Sequence, residues 1–280
     1  MARIVVVAHE YDLFRTRPFM VKGLFPHWEK AGHEILAREG VSDLPDADAA
    51  FLHVDASVVP PEYLSAVARY PVVINGRGTD IRKRVISRNL VRPGDAYRGP
   101  VIVKTDHNSG GIPELLHNRE ATRLGQTADA APRYMTGKYP IFASLSHVPP
   151  ALVNDPALVI EKLRPERDAR GFYVRFWVFL GKAERSFRYL SPYAVVKAAD
   201  VLERVPVPVP DAIRARREEL GVDYGKIDFV IHEGEPVLLD VNRTPSTSPT
   251  LNAAIEASNA SHSLGLESLL KRHEPKKSGD

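Results

Sequence analysis

The sequence predicts a mixed α/β (α+β) protein, with a small open α/β unit at the N-terminus followed by a larger region of antiparallel strands and helices. Three observations carry that prediction. Ala2 to Ala8 (ARIVVVA) is a continuous apolar run of the kind buried on both faces of a parallel sheet. Strand-like and helix-like segments then alternate as far as Ile74, the pattern of parallel strands joined by helical crossovers. Further on, Ile227 to Ile231 and Pro236 to Val241 flank a Glu-Gly turn, and Gly171 to Leu180 and Ala183 to Leu190 flank a Gly-Lys turn, which predicts two antiparallel hairpins.

Taken in order, the first strand leads into a turn-rich HEYD segment and a helix over Pro18 to Ala31 that Pro26 kinks or breaks and Gly32 stops. Glu34 to Ala37 and Ala49 to Val54 read as strands, Pro61 to Tyr70 as a helix, and Pro71 to Ile74 as a further strand. Ligands of such units gather at the carboxyl ends of the strands, which makes His9, Glu10, Arg15 and Arg17 candidates for substrate contact. Asn75 to Val91 reads as a glycine turn and a basic helix. Val101 to Val103 is a strand that ends at Lys104, and a polar loop closes on Gly110 and Gly111. Backbone amides of such a loop can cradle a phosphate while the lysine supplies positive charge. It is not a Walker A loop, because the lysine precedes the glycines.

Thr122 to Pro140 is a polar connection, and an apolar strand through Ile160 ends in the charged hinge Glu161-Lys162-Leu163, a place where backbone groups can read an adenine edge. Arg175 interrupts an aromatic strand, where a guanidinium calls for an anionic partner or a hydrogen bond. Arg185 and Arg188 lie on the next strand. Ala194 to Leu202 and Asp211 to Leu220 read as helices around a Pro-rich spacer, the second capped by Asp211 and stopped by Gly221. Leu251 to Ala257 and Ser263 to Leu270 read as helices, and the last ten residues as a flexible basic tail.

The chain has 280 residues, of which 44% are hydrophobic and 26% charged, as in an ordinary globular protein. Thirty-eight basic residues against 35 acidic ones leave a net charge of +3, too balanced to argue for nucleic acid. With no cysteine there is no disulfide, thiolate metal site or cysteine nucleophile. The N-terminus lacks the pattern of a signal peptide and no apolar stretch reaches the length of a membrane span, so a cytoplasmic protein without a membrane partner is expected.

The candidate metal site lies in the second hairpin. Asp240 and Asn242 are two residues apart and so share a face, and pairing across the turn brings Asp228 beside them. Both aspartates interrupt apolar runs, where an unpaired carboxylate is costly unless it holds a metal. Two carboxylates and an amide oxygen suit a hard cation such as Mg²⁺.

In chain order, a strand ending in Lys104 and a glycine loop, the Glu161 hinge, the Arg175 strand and the Asp228…Asp240-x-Asn242 hairpin resemble the ATP-grasp superfamily. The likeness is to its D-alanine:D-alanine ligase, glutathione synthetase and ribosomal-protein glutamate ligase branches. GKIDFVIHEGEPVLLDVNRTP carries most of it. The resemblance implies an ATP-grasp fold, with a Rossmann-like domain over 1–75, a lid subdomain over 76–160, a metal-bearing C-terminal subdomain over 161–270 and a tail over 271–280. It implies that Lys104, with Lys83 or Arg84, binds ATP phosphates and that Ser109, Gly110 and Gly111 form a mobile loop over them. Glu161, Lys162 and Leu163 line the adenine, and Asp168, or else Glu166, holds the ribose. Arg175 and Arg188 approach the transferred phosphate, and Asp228, Asp240 and Asn242 hold one or two Mg²⁺ or Mn²⁺ ions. Asp240 stands where the family more often has glutamate, and Tyr173 where some branches have an acid.

The activity so implied is ATP-dependent ligation of a carboxylate to an amine or thiol through an acylphosphate, releasing ADP and phosphate. The substrates are small molecules or peptides, read partly by the loop from Arg243 to Pro249. Apart from the resemblance, the prevalence of twofold symmetry makes a homodimer the expected assembly if the chain associates, and the balanced charge leaves no nucleic-acid partner expected. A small-molecule kinase on the same fold and a nucleotide-binding protein without turnover are the alternatives.

Overall fold

The structure is a computed structural model that describes residues 1–128, 139–196, 200–247 and 253–271. The C-terminal tail beyond 271, most of the polar connection before Pro140 and the end of the loop from Arg243 lie outside the described residues.

The N-terminal unit is a four-stranded, all-parallel sheet in the order β2-β1-β3-β4, made of β1 (Arg3–Ala8), β2 (Glu34–Glu39), β3 (Ala49–His53) and β4 (Val72–Ile74). Strands β1 and β3 are buried on both faces, as their apolar runs require. Instead of one kinked helix, residues 20–24 form a 3₁₀ turn and α1 spans Phe25–Lys30. Pro26 occupies the first turn of α1, where its missing N–H costs nothing, so it starts a helix rather than bending one. Helix α2 (Pro61–Val67) covers the face of the sheet that buries Val5, Val7 and Leu52. The opposite face packs on Leu180, Tyr224, Leu266 and Leu269, which fixes this unit to the C-terminal half of the chain.

The basic helix expected over Asn75 to Val91 is one turn only, α3 (Lys83–Ile86). Competing tertiary hydrogen bonds explain the difference: Val59 N donates to Thr79 O, Ile81 N to Ser57 O and Lys83 N to Asp106 O, so the backbone is committed before a helix can extend. Asn75, with φ of 63°, is fully buried and holds the backbones of Asp223 and Tyr224 through its amide.

Strands β5 (Val101–Thr105), β6 (Ile141–Phe142) and β7 (Leu158–Lys162) form a three-stranded antiparallel sheet in the order β6-β5-β7. Helix α4 (Ile112–Arg123), for which the sequence reading assigned no element, follows the glycine turn, and α5 (Pro150–Val153) precedes β7. The large antiparallel sheet comprises β8 (Glu166–Asp168), β9 (Gly171–Leu180), β10 (Ala183–Ser191), β11 (Glu203–Pro206), β12 (Tyr224–His232) and β13 (Glu235–Asn242). Its order is β11-β10-β9-β12-β13, with β8 on β9.

Both predicted hairpins are present. Glu233 and Gly234 turn the second one with φ of 52° and 87°, the left-handed pair that matches strand twist. Residues 194–196, 201 and 202 are not helical and Asp200 lies in a 3₁₀ turn, so the described parts of the helix expected over Ala194 to Leu202 form no α-helix. Part of the presumed spacer instead pairs with β10 as β11, an edge strand that tolerates Pro206. Helix α6 (Asp211–Leu220) begins after Pro210 without a side-chain cap and ends at Gly221, whose φ is 68°. It packs on one face of the large sheet over Trp177, Phe179 and Ile227, and α7 (Ala253–Ser263) and α8 (Gly265–Leu270) close the C-terminal half.

Candidate functional site

A cavity of about 370 Å³ opens between the three-stranded sheet and one face of the large sheet. Strand alternation decides what enters it. In the register Asp228 stands opposite both Asp240 and Phe176, Lys226 opposite Asn242 and Val178, and Tyr189 opposite Val174, so these side chains share a face. Lys83 from α3, Lys104 from β5 and Glu161 from β7 line the cavity from the other side.

Three lysine–carboxylate pairs organise this space. Lys83 Nζ lies 2.5 Å from Asp240 Oδ1, Lys104 Nζ 2.6 Å from Glu161 Oε2, and Lys226 Nζ 3.1 Å from Asp228. Lys83, Lys104 and Glu161 are all buried. Burial lowers the pKa of Lys83, but Asp240 beside it more than compensates, so the net shift is upward and the ammonium stays charged. Asp228 moves the other way: burial, with a smaller contribution from facing Asp240, outweighs Lys226 and raises its carboxyl to about 6. The Lys226 ammonium is 3.1 Å from both Asp228 oxygens, yet only Oδ2 has hydrogen-bond geometry, and Oδ1 is left buried and unsatisfied. Such an oxygen is a natural site for a cation.

Lys83, Lys104, Glu161, Lys162, Leu163, Asp228 and Asp240 therefore line one cavity together. At the hinge, however, the amides of Lys162 and Leu163 already donate to Asn89 O and Pro100 O, so the backbone there offers carbonyl oxygens rather than N–H groups. The Lys162 ammonium lies over the Tyr97 ring, 5.2 Å from its centre.

Other expected residues lie elsewhere. Arg175 and Arg188 face each other across β9 and β10, but on the side of the sheet that carries Trp177, away from the cavity. Arg175 makes a two-pronged pair with Glu166, and Arg188 stacks on Tyr173 at 4.5 Å. Val174 and Phe176, one residue to either side of Arg175, line the cavity; Tyr173, which shares the arginine's parity, lines it too, and Arg175 itself is turned to Glu166. Asp168 does not line the cavity either; it accepts hydrogen bonds from Tyr173 Oη and Arg170 N. Glu166, the other ribose candidate, is spent on Arg175 and Ile231 N.

The glycine turn belongs to a second, adjoining cavity of about 280 Å³. Ser109, Asn242, Arg17, Asp55, Thr244 and Ser246 line it, and Lys226 lines both cavities. Ser109, Gly110 and Gly111 have φ of 47°, 74° and 83°, a run of left-handed residues leading into α4. This turn is held rather than loose: Asn108 N donates to Ser57 Oγ, and Ser57 N to Glu114. Asn242 Oδ1 accepts from Thr244 N at 2.8 Å, and Thr244 Oγ1 donates to Asp55. Lys226 is a candidate that sequence reasoning missed, although the period-two rule that joins Asp240 to Asn242 also puts Lys226 beside Asp228; Thr244 lies in the Arg243 to Pro249 loop already expected to contact substrate.

Asp228 and Asp240, with Asn242 at the margin, are the oxygen donors available to a metal; among the described residues no three His, Cys, Asp or Glu side chains gather to hold one. Two carboxylates with an unsatisfied oxygen fit Mg²⁺, which takes few protein ligands and retains water or phosphate oxygens.

No protein-family model and no curated protein matches the sequence. Solved structures do match the fold along almost the whole chain. The chain is similar to a D-alanine–D-alanine ligase from Bacillus anthracis, with 14% identity and a TM-score of 0.50 over 98% of this chain and 97% of that one. It is similar to a RimK-domain ATP-grasp protein from Sphaerobacter thermophilus, with 14% identity and a TM-score of 0.53 over 96% and 100%. It is also similar to the macrocyclase MdnC from Microcystis aeruginosa, bound with precursor peptide MdnA, with 9% identity and a TM-score of 0.52 over 95% and 99%. The chain has the ATP-grasp fold.

Proposed function

We propose that this ATP-grasp protein is an ATP-dependent ligase that activates a carboxylate as its acylphosphate and joins it to an amine, releasing ADP and phosphate. The observation that carries the reading is the pair of adjoining cavities with Lys226 in the wall of both. A nucleotide fits the first, an acceptor the second, and a cation stands where they meet. A Bacillus anthracis D-alanine–D-alanine ligase of the same fold, with a TM-score of 0.50, is known complexed with ATP, which supports the assignment of the larger cavity.

In this reading Lys83 and Lys104 exchange their carboxylate partners for phosphate oxygens, as cations poised at an anion site do. The apolar wall of Ile102, Leu163, Val230 and Leu239 takes the adenine, and hinge carbonyls accept from its amino group. Asp228 and Asp240, with Asn242, hold Mg²⁺, which when bound neutralises phosphate charge. A carboxylate oxygen of the acceptor attacks the γ-phosphorus, and the bond to the bridging oxygen breaks to release ADP. The amine nitrogen then attacks the acyl carbon, phosphate departs with the carboxylate oxygen, and the ammonium proton passes to solvent. Lys226 stabilises charge on the transferred group, and the chain otherwise positions the reactants.

The test supplies ATP, Mg²⁺, ¹⁸O-labelled carboxylates and hydroxylamine as a general amine. ADP, a hydroxamate and ¹⁸O in the released phosphate are expected. AMP with pyrophosphate, or a stable phosphorylated product as a kinase would make, would overturn the reading.

A further inference from the structure

The second cavity is a built site rather than a surface dip. Its wall at Pro245 and Ser246 is stitched to residues 18–20: Met20 N donates to Pro245 O, Phe19 and Ser246 form an antiparallel bridge, and the next residue, Thr247, donates its N–H to Pro18 O. Arg17 projects from the loop beyond β1, where open parallel sheets receive ligands. Its Nη1 lies 2.7 Å from Asp55 Oδ2, and its guanidinium rests on the Phe19 ring at 4.5 Å. Among the described residues no partner is found for its Nη2 and Nε donors, and a quarter of the side chain is exposed at the cavity. Asp55 is not free to take a cation: one oxygen holds Arg17 and the other accepts from Thr244 Oγ1. The cavity thus offers two cations and no available carboxylate.

The two cations are not equivalent. Lys226 borders both cavities, whereas Arg17 borders only the second. An anion on Lys226 is next to the nucleotide space and can react, and an anion on Arg17 is set apart from it. A monocarboxylate satisfies only one of them. Resting on the ligase reading above, we propose that the acceptor is a dicarboxylate, with one carboxylate reacting beside Lys226 and the second held, unreacted, by Arg17. A planar carboxylate matches the two parallel N–H groups of the open guanidinium edge. Specificity for the second anion then resides in the N-terminal unit, while the chemistry resides in the large sheet.

The experiment uses the full chain loaded with Mg²⁺ and a non-hydrolysable ATP analogue, whose binding is measured first by calorimetry. Dicarboxylates from malonate to adipate are then titrated beside the monocarboxylates of equal chain length, with 3-phosphonopropionate and a peptide carrying a single glutamate carboxylate as further probes. At least one dicarboxylate is expected to bind about tenfold tighter than its monocarboxylate partner, the value of one charge-assisted contact. Arg17→Gln removes that preference and leaves analogue affinity unchanged within about twofold. Arg17→Lys, which keeps the charge and the Asp55 partner, retains part of it and guards against a misfolded first variant. Equal binding of mono- and dicarboxylates, tighter binding of the phosphonate or the peptide, or a preference that survives Arg17→Gln overturns the proposal alone. Failure of the analogue to bind overturns the ligase reading and the proposal together.

Discussion

Asp228 and Asp240 stand directly opposite one another across β12 and β13, and each is matched by its own lysine, Lys226 and Lys83. Like charges facing across a ladder destabilise it, so the arrangement calls for a counter-charge at the pair itself. Asp228 has its carboxyl raised to about 6, chiefly by burial, so the folded state binds its proton more tightly than the unfolded chain. The stability this contributes is fully present below the ordinary carboxylate range and is lost as pH rises through about 6. At neutral pH the ionised pair is therefore a cost that a divalent cation offsets. Added Mg²⁺ is expected to raise the melting temperature at pH 7.5, by roughly 2–4 °C for each kcal/mol of binding, and to do so much less at pH 5. Asp240→Ala is expected to abolish the shift at both pH values, and a shift that is equal at the two would contradict the assignment.

Lys226 is expected to matter more for turnover than for nucleotide affinity. Its ammonium lies over the Phe176 ring at 4.5 Å and beside Asp228, in the wall between the cavities. A donor aimed at developing charge is worth about 10²–10³ in kcat, so Lys226→Met should lower ADP release by that order. Nucleotide affinity measured in the same variant should change only a few-fold, and Lys226→Arg should recover part of the rate. Equal losses in binding and rate would make Lys226 a phosphate anchor instead.

Arg175 is expected to act on stability. Its pair with Glu166 sits on the far side of the sheet, and Glu166 also accepts from Ile231 N, so one carboxylate ties β8, β9 and β12 together. Arg175→Met leaves that mostly buried carboxylate unpaired, a loss of about 3 kcal/mol for a buried pair and somewhat less here. Activity per folded molecule should be retained. Denaturant unfolding followed beside ADP release separates the two effects, and a rate loss at unchanged stability would return Arg175 to the reacting centre.

The contrast between these arginines and Lys226 marks what could be read from the sequence. The parallel unit, both hairpins and the opposition of Asp228 to Asp240 follow from period-two patterning and turn residues, and these are local signals. Arg175 was assigned by its residue type on an apolar strand, yet a strand has two faces and only the neighbouring pairing says which one lines the cavity. A related limit explains the misplaced ribose acids: Glu166 is drawn to Arg175 on the far face of the sheet and to Ile231 N on a strand distant in sequence, and Asp168 is taken by Tyr173 and Arg170 within its own hairpin, pairings that residue type alone does not reveal. Glycine turns carry a similar ambiguity: Ser109 to Gly111 is left-handed backbone as a glycine-rich loop suggests, but tertiary hydrogen bonds through Asn108 and Ser57 place it at the second cavity. The one-turn helix at Lys83 and the strand at Glu203 likewise depend on partners that no local window contains.

His53 gives the N-terminal unit a defined acid limit. It is fully buried among Phe14, Phe19, Phe51 and Tyr224, and neither ring nitrogen has a hydrogen-bond partner among the described residues. Burial lowers its pKa to about 4, and it does the same for His9 and His262. A folded pKa below the unfolded value means that the stability is present above about 6.5 and is lost as pH falls toward 4. For His53 alone the shift corresponds to about 3 kcal/mol. Melting temperature should be level above pH 7 and fall steeply between pH 6.5 and 4. His53→Phe keeps a planar ring of similar shape in an aromatic cluster without the proton-binding site, so it should flatten part of that fall while leaving the neutral-pH value within about 1.5 kcal/mol. An acid limb unchanged in this variant would assign the sensitivity to His9, His262 or the carboxylates instead.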